Sequence, residues 1–222
     1  MAAELLALTA ATAGLLWYCH RRHRGAVKAE RAVLFDACLA CFETHELTQD
    51  DVGFPTLRGR YRGYTVRLEL LAEHLGLRKL PCLWLRATVL ADLPWQGVFD
   101  FLARPQGSEF FSPAAGLAQT LPIPEDWPQH ALLRSDCAER MPPLTRLAPH
   151  MCLFEDWRAK ELLVTPRGVR IVYLVQQADR GQYQLWRRLA FEHAVLPAAL
   201  VDELLERALA IHADLRYDEK RR

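Results

Sequence analysis

Six arginines are the residues in this sequence whose type and spacing suggest binding chemistry. They form two groups close to aromatic residues: Arg21, Arg22 and Arg24, and Arg58, Arg60 and Arg62. Planar guanidinium groups match the geometry of phosphate oxygens, so both groups are candidates for contacting phosphate or lipid headgroups. For the second group we favour an alternative, a solvated hairpin edge that is protected by charge against aggregation.

Two cysteines and a histidine have a spacing that would suit metal ligands. Cys38, Cys41 and His45 occupy helical positions i, i+3 and i+7, where a fourth ligand from elsewhere could complete a site. The run Cys-Leu-Ala-Cys-Phe lacks the histidine of a c-type haem attachment sequence, and no second cysteine pair is present to build a zinc ribbon. We therefore interpret both thiols as buried core groups, and we predict no metal and no cofactor.

No local motif indicates an active site. Hydrolase chemistry needs a nucleophile, a base and an orienting group, and the scattered cysteines and histidines could meet in that way only through tertiary structure. The sequence lacks a Gly-x-Ser-x-Gly elbow, a His-Glu-x-x-His zinc helix, a phosphate loop and a Gly-x-Gly-x-x-Gly turn. We assign no catalytic residue and expect a protein that is not an enzyme.

The composition is typical of an ordinary folded protein. The chain has 222 residues, 51% of them hydrophobic and 25% charged, which is enough to bury one sizeable core or two small ones. Its 28 basic residues nearly cancel the 27 acidic residues, so we expect no nucleic-acid partner. The six cysteines are scattered through apolar stretches, which favours reduced thiols and a cytoplasmic domain.

The N-terminal segment carries the clearest physical signal. Residues 1–19 contain one charged side chain, Glu4, and they end in Trp17, Tyr18 and a basic flank. At about 1.5 Å per residue, such a helix nearly crosses a hydrocarbon core of about 30 Å. Positive charge after the apolar run argues against a cleaved signal peptide and for a cytoplasmic domain. We predict a single-pass membrane protein anchored by residues 1–20; the alternative is an amphipathic or buried helix of a soluble protein.

The rest of the chain predicts an α+β fold, with helices at the ends and a mainly antiparallel sheet between them. Residues 21–52 form a juxtamembrane helix over 26–45 and a connector, residues 53–216 a soluble domain, and residues 217–222 a charged tail. Alternating polarity predicts strands over 56–61, 64–71, 80–90, 97–103, 130–134, 160–165, 169–175 and 182–190. A helix is predicted over 144–154, and an amphipathic C-terminal helix begins at Pro197.

Two stretches carry a resemblance to a known group of proteins. The first is Gly59-Arg-Tyr-Arg-Gly63 with the strand that follows it and Leu77-Arg-Lys-Leu-Pro-Cys-Leu-Trp-Leu85, and the second is the predicted hairpin over 160–173. They resemble an uncharacterised family of proteobacterial proteins that have a single N-terminal membrane anchor and a domain of unknown function. The resemblance implies this architecture, and it implies no activity and no functional residue.

These observations together predict a membrane-tethered, non-enzymatic interaction or accessory protein. Its N-terminal helix would contact membrane lipids, and its domain would bind a protein partner in or at the membrane. The alternative is an enzyme acting on a lipid or another membrane-associated, phosphate-bearing substrate through the arginine-rich hairpin and a histidine.

Overall fold

Helices and a strand share the N-terminal region, where one long helix was predicted. The computed structural model describes residues 2–73, 81–107, 109–177, 191 and 195–216, with side chains from Leu8 onward. Helix α1 (Ala2–Ala32) passes into a 3-10 helix over Val33–Cys41, and strand β1 follows at Thr44–Thr48. The prediction of a helix over 26–45 is wrong at its C-terminal end, because β1 pairs with the next strand along its whole length. Such tertiary pairing overrides a local helical pattern.

One antiparallel sheet forms the centre of the protein. After β1, the strands of the described part of the chain are β2 (Thr56–Tyr61), β3 (Tyr64–Glu73), β4 (Cys82–Leu90), β5 (Phe99–Ala103), β6 (Gln119–Thr120), β7 (Ala131–Ser135), β8 (Ala159–Thr165) and β9 (Gly168–Gln177). Their order across the sheet is β1-β2-β3-β4-β9-β8-β5-β7-β6. The predicted antiparallel sheet is confirmed; β1 and the short β6 were not predicted. The predicted strand over 182–190 lies outside the described residues.

The two faces of the sheet differ in chemistry. In β4, Leu85 and Ala87 belong to the main hydrophobic core, whereas Arg86 alternates with them and lies on the other face. The same alternation in β9 places Ile171 in the core and Arg170 on the other face. One face of the sheet is therefore mainly apolar, and the opposite face carries several arginines beside a small apolar cluster.

The C-terminal helix covers the apolar face. Helix α3 (Ala198–Leu215) buries an apolar stripe that includes Val201, Leu205 and Ala208, and it packs on β4 and β9. Its C-terminal end is fixed by the indole of Trp95, which donates a hydrogen bond to the carbonyl of Leu215 at 2.8 Å. The predicted amphipathic C-terminal helix is confirmed.

A shorter helical segment closes the core beside α3. It begins after Pro143 with helix α2 (Leu144–Leu147) and continues as a 3-10 helix over Ala148–Glu155. Met151, Leu153 and Phe154 are buried in the main core. The helical segment predicted over 144–154 is thus present, although most of it is 3-10 helix.

The first part of helix α1 was predicted to be a membrane span. Among the residues that the structure describes, no helix is long and apolar enough to cross a membrane. The predicted transmembrane helix over residues 1–20 is therefore not shown; the observed element is a long N-terminal helix that continues to Ala32.

Candidate functional site

Helix α1 exposes large apolar side chains next to a basic segment. Every residue from Leu8 to Ala26 is solvent-exposed. Leu16 is 70% exposed and Trp17 is 62% exposed, and Leu8, Leu15 and Tyr18 are also exposed. A cluster of this kind on one element marks a surface that binds another molecule more often than a single exposed leucine does.

Beyond this apolar part, α1 and a neighbouring turn form a groove. The helix supplies Trp17, Arg21, Arg24 and Lys28, whose spacing of four, three and four residues places them on one side of the helix. Asp51 lies on the opposite wall. The volume of the groove is about 430 Å³, which falls in the range of small-molecule sites, about 300–1,000 Å³. We call it the basic groove.

Hydrogen bonds hold the turn that forms the second wall against the helix. The amide of Gln49 donates to the carbonyl of Lys28 at 3.1 Å and to that of Gly53 at 2.9 Å. The guanidinium of Arg31 donates to the carbonyl of Val52 and lies over the ring of Phe54, with 4.3 Å between the guanidinium carbon and the ring centroid. These contacts fix the position of Asp51 relative to α1.

The charges in the basic groove do not cancel. Arg24 forms an ion pair with Asp51. Arg21 lies over the indole of Trp17, with 5.3 Å between the guanidinium carbon and the ring centroid. In the described part of the chain, neither Arg21 nor Lys28 forms an ion pair with a carboxylate. The groove therefore has two surplus positive charges that an anion could neutralise.

The predicted arginines of the hairpin have a different environment. Arg60 lies 3.5 Å from a carboxylate oxygen of Glu43, and Arg62 lies 2.8 Å from one of Glu206, while Arg58 is exposed on β2. Glu206 belongs to α3, so the Arg62 contact joins the hairpin to the C-terminal helix. The phosphate-binding role of these three arginines remains a prediction, and two of them already bind carboxylates of the protein.

Of the possible metal ligands, Cys38 and Cys41 lie in the 3-10 helix, whereas His45 lies on another element. Cys38 lies in the 3-10 helix, is fully buried and donates its thiol hydrogen to the carbonyl of Phe35 at 3.1 Å. Burial, with a smaller effect of Cys41, raises the pKa of Cys38 to about 12. His45 lies on the exposed strand β1. Over the described ranges, the structure contains no group of three histidine, cysteine or acidic side chains that could hold a metal ion.

The sequence analysis missed a buried carboxyl pair on the polar face of the sheet. Asp100 of β5 and Glu161 of β8 are fully buried. Asp100 pairs with Leu163 and Leu102 pairs with Glu161, so the two carboxyl groups are diagonal neighbours on adjacent strands. The warning in the sequence is that Asp100 is the one polar residue of strand β5 and that Glu161 directly precedes the apolar run of strand β8.

The hydrogen-bonding capacity of this pair is largely unused. Asp100 receives one long hydrogen bond, from the hydroxyl of Ser112 at 3.4 Å. Within the residues that the structure describes, the other oxygen of Asp100 and both oxygens of Glu161 have no hydrogen-bond partner. Burial, with a smaller contribution from Glu161, raises the pKa of Asp100 to about 8, and burial raises the pKa of Glu161 to about 7.

Several other charged groups near this pair form ion pairs with each other. Glu69 accepts from Arg67 at 2.6 Å and from Arg86 at 2.7 Å. Lys160 lies 2.8 Å from Glu109 and donates to the carbonyl of Arg104 at 2.6 Å. The Asp100 and Glu161 pair lies close to these ions, and its complete burial excludes direct contact with a solvent-borne substrate.

The fold and the site define an α+β protein, built on one antiparallel sheet, with an exposed N-terminal helix that carries a basic groove. No protein-family model and no curated protein matches the chain. The structure is similar to the crystal structure of the mycobacterial trehalose monomycolate transport factor A, TtfA, with 14% sequence identity and a TM-score of 0.43. The similarity covers 87% of this chain and 96% of that one.

Proposed function

We propose that this protein is a non-enzymatic interaction or accessory protein that is attached to the bacterial inner membrane through helix α1. Its α+β domain would lie in the cytoplasm and bind a protein partner in or at the membrane. The observation that carries the proposal is the exposed apolar part of α1, Leu8 to Tyr18, which continues directly into basic residues. The attachment does not require the helix to span the bilayer.

Apolar and basic residues in this order fit the chemistry of a lipid surface. Exposed leucine and aromatic side chains gain free energy when they leave water for the acyl boundary, and Trp and Tyr favour the headgroup level. Each Arg or Lys near an anionic leaflet adds about 1 kcal/mol of attraction, which salt weakens. The four basic residues of the flank, Arg21, Arg22, Arg24 and Lys28, support binding to acidic lipids.

Exposed aromatic residues on the domain support the interaction role. Trp157 is 64% exposed and Phe110 is 52% exposed. Arg104 donates to the carbonyl of Trp157 at 2.9 Å, and Lys160 joins the carbonyl of Arg104 to Glu109, the neighbour of Phe110. The two aromatic residues thus belong to one region of the surface. Aromatic side chains are enriched at the centres of protein interfaces, and we propose this region as the partner contact.

The alternative, an enzyme acting on a phosphate-bearing membrane substrate, has less support. It would use the arginines of the hairpin, but Arg60 and Arg62 face carboxylates of the protein. A substrate phosphate would have to displace both ion pairs. The absence of a catalytic motif from the sequence also favours a binding role over a catalytic one.

Vesicle flotation with the full-length protein tests the membrane attachment. We expect the protein to float with vesicles of phosphatidylcholine and phosphatidylglycerol, and less of it to float at high salt. The double variant Leu15→Gln/Leu16→Gln should lose flotation. A matched control, Leu90→Gln/Val195→Gln, removes two exposed apolar side chains elsewhere and should float like the wild type. Failure of the wild type to float with these vesicles would refute the attachment.

Affinity purification from detergent-solubilised membranes tests the partner role. We expect the wild type to recover the same protein repeatedly, and the double variant Phe110→Ser/Trp157→Ser to lose it. The Leu90→Gln/Val195→Gln variant should retain it. Recovery of no recurrent partner, or equal recovery by all three proteins, would count against the proposed contact region.

A further inference from the structure

We propose that the basic groove is a binding site for one phosphate group, with Arg21 and Lys28 as its direct ligands. This inference deepens the proposed function, and it rests on the membrane attachment for the source of the phosphate, a lipid headgroup. Free phosphate has the same chemistry and would be recognised by the same side chains.

The first argument is the unbalanced charge of the groove. Asp51 is its one acidic lining residue, and Arg24 neutralises it. Arg21 and Lys28 line the same groove without an ion pair to any carboxylate that the structure describes. Two cations seven residues apart lie on the same side of a helix, two turns apart, where one anion in the groove could attract both.

The second argument is that the site is built before a ligand arrives. Stacking on Trp17 restricts the guanidinium of Arg21, so less conformational entropy is lost when it binds an anion. The Arg24 ion pair and the hydrogen bonds of Gln49 hold the second wall in place. An exposed arginine on an isolated helix would have neither support.

The third argument is the position of the groove along α1. It begins at Trp17, where the exposed apolar part of the helix ends. If the apolar part lies in the acyl boundary of a leaflet, the basic groove lies at the depth of the headgroups. A phosphate of an acidic lipid would then meet Arg21 and Lys28 without leaving the membrane surface.

The matched control is a neighbouring arginine. Arg22 carries the same charge as Arg21 and lies on the same helix, but it does not line the groove. General attraction to an anionic surface predicts equal losses for Arg21→Gln and Arg22→Gln. A defined site predicts a greater loss for Arg21→Gln and Lys28→Gln, because each removes a charge-assisted hydrogen bond to phosphate.

The experiment uses the full-length protein and two probes. Inorganic phosphate is titrated by ³¹P nuclear magnetic resonance in a neutral detergent, and vesicles of phosphatidylcholine with phosphatidic acid or phosphatidylglycerol are titrated by flotation. We expect Arg21→Gln and Lys28→Gln each to weaken binding of both probes by about tenfold, the usual effect of one charge-assisted hydrogen bond. Arg22→Gln should weaken phosphate binding much less than either of these variants, because Arg22 does not line the groove. Circular dichroism of each variant verifies that the fold is retained.

The outcomes separate this inference from the proposed function. Equal losses of vesicle binding for all three variants, with no phosphate binding, would overturn the groove and leave the attachment intact. Phosphate binding that depends on Arg21 and Lys28, without vesicle binding by the wild type, would support the groove and refute its lipid source. Binding of neither probe by the wild type would overturn both.

Discussion

The buried carboxyl pair predicts that stability decreases as pH rises from 5 to 7. The perturbation is the double variant Asp100→Asn/Glu161→Gln, which keeps the shape of both side chains and removes both titrating groups. In the unfolded chain these carboxyl groups titrate near 3.8 and 4.5, whereas burial raises the folded pKa values to about 8 and about 7. A raised folded pKa stabilises the protein at low pH, and this stability is lost as pH rises through the folded pKa.

The magnitude follows from proton linkage. Between pH 5 and pH 7 the unfolded chain has released both protons, and we take the folded pair to retain at least one. One retained proton lowers the free energy of unfolding by roughly 1.4 kcal/mol per pH unit, so the wild type should lose about 3 kcal/mol over this range. The nearby cations, Arg134 and Arg170, lower the pKa of Asp100, but burial opposes them with the greater effect.

Urea unfolding at pH 5, 6 and 7, followed by circular dichroism, measures this slope. We expect the free energy of unfolding to fall between pH 5 and pH 7 by about 3 kcal/mol less in the double variant than in the wild type. Glu109 should not add to this dependence on pH. Burial acts to raise its pKa, but the hydrogen bond from Lys160 lowers it overall. The stability that Glu109 contributes is therefore lost only below about pH 5. Comparison with Glu125→Gln, which removes an exposed carboxyl group, accounts for the change in net charge. Equal slopes in the wild type and the double variant would refute the reasoning.

Three further substitutions test the packing, each by urea unfolding. Phe101→Ala removes a fully buried ring whose centroid lies 4.7 Å from that of Phe154, and it should cost about 3–5 kcal/mol; a loss below about 1 kcal/mol would contradict the packing described. Gly168→Ala should cost at least about 1 kcal/mol, because the φ angle is 144° and the new Cβ would lie 2.0 Å from the carbonyl oxygen of Val89; an unchanged stability would be inconsistent with that approach. Tyr61→Phe removes hydrogen bonds to two carboxylates of α3 and should cost about 1–3 kcal/mol, whereas no loss would show that they do not hold the helix.

The local pattern of the sequence was sufficient for most of the strands. The hairpin of β2 and β3 was predicted because two β-rich runs flank Arg62 and Gly63. In the second run, Val66 and Leu68 alternate with charged residues. Helix α3 was predicted because its apolar residues recur at helical spacing. Both patterns depend on residues within about a dozen positions of each other. Such local patterns predict the observed element when the tertiary contacts favour the same structure.

Only part of the candidate site could be predicted from the sequence. Arg21, Arg22 and Arg24 were predicted as possible phosphate or lipid-headgroup contacts, and their spacing on α1 follows from helical geometry. The second wall of the groove was not predictable, because tertiary contacts bring Asp51 to α1. Gln49 donates to the carbonyl of Lys28, and Arg31 donates to the carbonyl of Val52. The membrane span was predicted from an apolar run, and no helix among the described residues is long and apolar enough to be one.

What the sequence determined by itself is the character of each element: which residues alternate, which recur at helical spacing, and where the basic charges follow the apolar ones. Apart from the predicted hairpins, the tertiary structure alone decided which elements are neighbours. Asp100 and Glu161 lie sixty-one positions apart in the sequence, and they share a buried site only because β5 pairs with β8. The physical reason is that strand order and register depend on packing of the whole sheet, whereas a residue's preference for helix or strand depends mainly on its immediate neighbours.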